Sequence, residues 1–91
     1  MNGKFFSKNE ACISVFDRGF LFSDSVYEVT AVIGGSLVDW QEHFARLIRS
    51  LDHLDLVNNF QEEYFYQIQK KLIKENKLKE GFCYVQVTRG V

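Results

Sequence analysis

The stretch from Val26 to Gly35 constrains the fold more than any other. Tyr27, Val29, Ala31 and Ile33 alternate with Val26, Glu28, Thr30 and Val32, which is the period of an extended strand. Gly34-Gly35 follows at once, and two adjacent residues free to take positive φ are what a tight hairpin turn demands. Ser36 to Val38 must then return as the antiparallel partner. A hairpin alone is marginal in water, so the rest of the chain has to supply a further strand and a covering layer.

Two amphipathic stretches meet that need. From about Trp40 to Leu54, the residues Phe44, Leu47, Ile48, Leu51 and Leu54 make a stripe of helical period. Asp39 reads as its N-cap, with Glu42 completing a box-like pair. A second helix is expected from near Asn59 to about Asn76, again with Glu62 at the third position, and with Tyr64, Phe65, Ile68 and Leu72 as its stripe. Lys70, Lys71 and Lys74 sit late in it, where cations suit the helix dipole. After Gly81, the run Phe82-Cys83-Tyr84-Val85-Gln86-Val87-Thr88-Arg89 has the aromatic and β-branched content of a strand. Lys4 to Ile13 reads as short extended pieces around a turn at Ser7-Lys8-Asn9-Glu10, and Ser14 to Ser25 as a loop carrying aromatics. The predicted class is α+β: a largely antiparallel sheet with two helices packed on it.

Composition narrows the function. At 91 residues the chain makes one domain, residues 1–91, with a modest core. A net charge of −1 gives no basic footprint for nucleic acid or an anionic membrane. No apolar run approaches the length of a membrane span, and the first residues lack the apolar stretch of a signal peptide. The cytoplasm is the expected compartment. Cys12 and Cys83 are distant in sequence and read as reduced, and no metal-ligand spacing is present. The aromatic share of 15% is high for so short a chain, and some of these rings are expected to pack against material outside it.

Three features could carry chemistry. His43, Arg46 and Ser50 follow a three-then-four spacing and share one face of the first long helix, a face away from the apolar stripe. Arginine offers a rigid fork of donors matched to phosphate or carboxylate. Taken alone, polar residues opposite a buried stripe are ordinarily just solvated. Tyr27 shares a strand face with three apolar residues; it can be a half-buried ring, or a phenol at a strand end reaching into a polar pocket. Asp17-Arg18-Gly19 has the form of a local turn with an ion pair. His53 and Trp40 read as an exposed flank residue and a packed ring at the helix entry.

The order of these features carries more than any one of them. Asp17-Arg18-Gly19-Phe20, Phe22-Ser23-Asp24-Ser25-Val26-Tyr27-Glu28, the glycine-turned hairpin, His43-Phe44-Ala45-Arg46-Leu47 and Val87-Thr88-Arg89-Gly90 together resemble the fold-type IV pyridoxal-phosphate enzymes. Within them the closest likeness is to the D-amino-acid aminotransferases, over nearly the whole chain. The resemblance implies the N-terminal small domain of that fold, pyridoxal 5'-phosphate as cofactor of the full-length enzyme with weak or no binding by this chain alone, amino-acid and 2-oxo-acid substrates and a homodimer in the full-length protein. It implies that Arg46 binds the cofactor phosphate and that Tyr27 lies at the substrate carboxylate. Same-fold alternatives are a 4-amino-4-deoxychorismate lyase or a branched-chain aminotransferase. A truncated, non-catalytic interaction module is the alternative of a different class. Ser23 and Ser25 stand where the family usually has glycine, so a strained backbone is expected there. The family's catalytic lysine follows the Thr-Arg-Gly motif and is not reached by Val91, so this chain holds no catalytic residue and is expected to be inactive alone. Its apolar surface is expected to drive self-association or to need a partner segment.

Overall fold

A computed structural model describes residues 1–91. Six elements follow one another: α1 (Arg18–Phe22), β1 (Ser25–Ile33), β2 (Ser36–Leu37), α2 (Trp40–His53), α3 (Glu62–Glu75) and β3 (Gly81–Thr88). The three strands form one antiparallel sheet in the order β2-β1-β3. The sheet is centred on β1, which pairs with β3 along its whole length from Ser25↔Thr88 to Val32↔Gly81, but meets β2 only at Val32↔Leu37 and Ile33↔Ser36. Gly34 and Gly35 take φ of 58° and 76°, the positive values the hairpin requires.

The buried side of β1 is not its more apolar one. Glu28, Thr30 and Val32 are buried, whereas Tyr27, Val29 and Ile33 are exposed. The helices cover the first set, and α2 supplies most of that cover. Leu47, Leu51 and Leu56 make the centre of the core, with Val26, Ile48, Phe60, Phe65, Val85 and Val87 packed around them. On the other side Tyr27 and Tyr84 stack with ring centroids 5.6 Å apart, and Phe82 lies open beside them. This open aromatic face is the surplus of rings that the composition announces.

The helices differ from the sequence reading in instructive ways. α2 starts at Trp40 as expected, but Asp39 gives it no side-chain cap; it sits in the left-handed region at φ 52° and accepts from His43 N–H only through its backbone carbonyl. α3 starts at Glu62 rather than near Asn59, after an uncapped Gln61. Its buried positions are Gln69 and Ile73, with Phe65 half-buried, while Tyr64 and Leu72 are exposed. One polar residue inside the true stripe rotates the apparent one by a residue.

The segment before β1 also departs from expectation. Lys4 to Ile13 forms no strand, although the Ser7 to Glu10 turn is present, with Glu10 accepting from the Ser7 hydroxyl at 2.6 Å. The expected loop contains the short helix α1. Asp17 caps it by accepting from Gly19 N–H at 2.8 Å, and Ser23 closes it at φ 56°. Of Ser23 and Ser25, both expected to carry strain, only Ser23 takes a positive φ; Ser25 is ordinary strand.

Candidate functional site

The site is built where α2 crosses β1. Glu28 points from the centre strand toward the helix layer and retains 6% exposure. A lone buried carboxylate is costly, and three donors from α2 compensate it. Arg46 Nε donates to Glu28 Oε1 at 2.7 Å, and Arg46 Nη2 donates to Oε2 at 2.8 Å. His43 Nδ1 lies 2.8 Å from the same Oε2. Hydrogen bonds from Arg46 hold the Glu28 carboxyl below its usual range against burial, which pushes it up, and His43 reinforces Arg46. An ionised Glu28 only accepts, so His43 Nδ1 carries the proton that faces it. The three-residue step from His43 to Arg46 puts both side chains over one carboxylate.

Arg46 itself is more than half exposed, at 59%. Its guanidinium is held above the ordinary value, chiefly by the Glu28 hydrogen bonds and charge, with a smaller contribution of the same sign from Tyr27. Glu28 uses one edge of the fork, and Nη1 has no hydrogen-bond partner in the chain. The free edge therefore keeps the parallel donors that suit a phosphate or carboxylate. Tyr27, next to Glu28 on the strand, is 62% exposed and stacked on Tyr84.

The sequence-predicted residues thus divide. The Tyr27 side chain lies on the open face of the sheet, opposite the helix-facing Glu28, while Arg46 is turned toward the sheet and paired with Glu28. His43 joins them. Ser50 forms no side-chain hydrogen bond and stands apart from the group. Sequence reasoning missed Glu28, although a charged residue in an otherwise apolar strand flanked by Thr30 and Val32 is the signal that could have found it.

Asp17-Arg18-Gly19 proves to be a latch. Asp17 accepts from the Thr88 hydroxyl at 3.0 Å, and Asp24 Oδ2 accepts from Arg18 Nε at 2.9 Å and from Arg89 Nε at 2.7 Å. Arg89 Nη2 also donates to the carbonyl of Leu54 at 2.8 Å. Gly19 lies so close to the Thr88 side chain that a Cβ there would overlap it. These contacts tie α1 and the end of β3 to the start of β1, and so fix the strand that carries Tyr27 and Glu28. A wide concavity between the starts of α2 and α3 is acidic, lined by Asp39, Glu42, Glu62 and Glu63, and repels an anion. Cys12 and Cys83 are both unpaired, burial pushes the Cys83 thiol up, and no group of side chains could hold a metal ion. No helix is long and apolar enough to cross a membrane.

The profile of the class IV amino-transferases matches residues 25–91, from the first residue of β1 through the whole of this site. The chain belongs to that family. It is 38% identical to a D-alanine aminotransferase of Staphylococcus aureus (strain MSSA476) over all 91 of its residues. The same identity, over the same 91 residues, is found to D-alanine aminotransferases of Staphylococcus haemolyticus and of Listeria innocua. The chain spans about a third of the length of these relatives, 32%. Among solved structures, a Legionella pneumophila protein assigned as a 4-amino-4-deoxychorismate lyase superposes with a TM-score of 0.83 at 19% identity, over 91% of this chain and 31% of that one. The 4-amino-4-deoxychorismate lyase of Pseudomonas aeruginosa superposes with a TM-score of 0.71 at 29% identity, over 88% and 28%. These structures confirm the α+β fold read from the sequence.

Proposed function

We propose that this chain is the part of a D-amino-acid aminotransferase that grips the phosphate of pyridoxal 5'-phosphate, with Arg46 as the phosphate ligand and Tyr27 on the substrate side. The observation that carries the reading is the half-engaged fork of Arg46. One edge is held by a buried carboxylate and the other is free, so a rigid donor pair is on offer, while the exposed phenol of Tyr27 lies one residue along the same strand on its opposite face. Such a donor set fits a phosphate monoester by its chemistry. When bound, the cofactor would supply the electron sink that labilises bonds at the amino acid's α-carbon. The residues of this chain bind and orient. Arg46 anchors the anionic tail, and the Tyr27 hydroxyl offers a hydrogen bond to a substrate carboxylate.

No side chain here is placed to move the proton of transamination. Lys4, Lys8, Lys70, Lys71, Lys74, Lys77 and Lys79 are all exposed, so none is desolvated toward a reactive amine. The open face of Tyr27, Val29, Ile33, Phe82 and Tyr84 is where the remainder of the enzyme, as a homodimer in the cytoplasm, would pack. Identity to D-alanine aminotransferases, at 38%, exceeds the 29% to the Pseudomonas lyase, and favours transamination over the lyase reaction. The test is a coupled assay for pyruvate from D-alanine and 2-oxoglutarate. The expected result is turnover by the enzyme that carries this chain, a weakened cofactor affinity in its Arg46→Ala variant and a raised KM for D-alanine in its Tyr27→Phe variant. The 91-residue chain alone is expected to give no pyruvate. Wild-type cofactor affinity in Arg46→Ala would remove the proposal's basis.

A further inference from the structure

We infer that Glu28 is the positioning residue of the anion seat, acting on the ligand only through Arg46. The inference rests on the reading of Arg46 as a phosphate ligand. A strand residue facing the helix layer beside Thr30 and Val32 would pack better as valine or leucine. A buried carboxylate at that place is weak evidence for stability and needs another reason. Its geometry supplies one. Both carboxylate oxygens are spent on Arg46, at 2.7 and 2.8 Å, and they take the Nε–Nη2 edge. A free arginine would present either edge of its fork and many rotamers. This one is committed to a single orientation before any ligand arrives, so its ordering cost is met on folding and not on binding.

His43 completes the clamp by bonding the same Oε2 from one helical turn earlier. It keeps Glu28 from rotating toward a second partner. The pair of Glu28 and Arg46 is neutral together, so the seat recognises an anion by the direction of its free donors more than by net charge. A tetrahedral phosphate, with two oxygens spaced for parallel N–H groups, matches such a seat.

The test is a double-mutant cycle on the enzyme that carries this chain, with pyridoxal 5'-phosphate as probe and binding followed by NMR. The four proteins are the wild type, Glu28→Gln, Arg46→Lys and the double variant, each checked for folding by circular dichroism. Glu28→Gln is expected to weaken binding about tenfold, or ~1.4 kcal/mol, in the Arg46 chain and to add nothing in the Arg46→Lys chain, since lysine has no fork to orient. An equal loss in both backgrounds, or unchanged or tighter binding in Glu28→Gln, overturns the positioning role. Wild-type binding by Arg46→Lys overturns the reading beneath it, a separate outcome. A second measurement needs no variant: the Arg46 Nε–H resonance should hold its position as probe is added. A large shift of that resonance would show Glu28 displaced by the ligand and would contradict the clamp.

Discussion

Gln69, like the Trp40 indole N–H, is a buried polar group that nothing satisfies, and replacing it tests how this core treats polarity. It lies on the inner face of α3 with 3% exposure, and neither its Oε1 nor its Nε2 has a hydrogen-bond partner. In the unfolded chain both atoms bond water. Burying an unsatisfied polar group costs about 1–3 kcal/mol. Leucine has nearly the same volume, and a volume-conserving swap loses at most about 1.5 kcal/mol to shape mismatch. Gln69→Leu should therefore stabilise the chain by about 1 kcal/mol net. For a domain of this size that raises Tm by about 4–8 °C. Thermal melts by circular dichroism, with urea titrations to obtain the free energy, provide the assay. An unchanged or lower Tm would mean that the amide is partnered in solution. The contrast with Glu28, buried but fully bonded, would then lose its meaning.

Leu51, with 0% exposure at the centre of the core cluster, should cost about 2–5 kcal/mol when replaced by alanine; a loss under about 1 kcal/mol in urea titration would show a core that collapses around the hole. Ser23→Gly should stabilise by about 1 kcal/mol, because glycine takes the φ of 56° that serine is forced into; a melting point below wild type would place the cost elsewhere. The pH dependence follows from Glu28. Its folded pKa lies below the ordinary value of 4.5, so its contribution is complete above that value and is lost as pH falls through the folded one. Acid unfolding of Glu28→Gln should accordingly show a shallower loss of stability below about pH 4.5 than wild type, and parallel acid limbs would contradict this.

Much of the fold is legible in the sequence because backbone rules fix it locally. The alternation through β1, the Gly34-Gly35 turn and the stripe of Phe44, Leu47 and Leu51 depend on few long-range facts. What escaped is decided by tertiary contact. The buried face of β1 contains Glu28 and Thr30, so hydrophobicity points to the wrong side; the apolar side is open in this chain. Gln69 hides the true stripe of α3 in the same manner. The cap at Asp39 failed because a left-handed backbone turns its side chain away from the first helical amides. For the site, Arg46 and Tyr27 are visible as residue types in a spacing, but the carboxylate that holds Arg46 and His43 is not. Glu28 and Arg46 lie 18 positions apart, and only the crossing of α2 over the centre strand brings them together.

The central claim is that the free edge of Arg46 is a seat for the phosphate of pyridoxal phosphate. The ³¹P resonance of that phosphate, followed while the enzyme that carries this chain and its Arg46→Ala variant are titrated in turn, tests it most directly. The account predicts a shift that saturates with the wild type at a much lower cofactor concentration than with a folded Arg46→Ala variant. The same titration curve with both would contradict it.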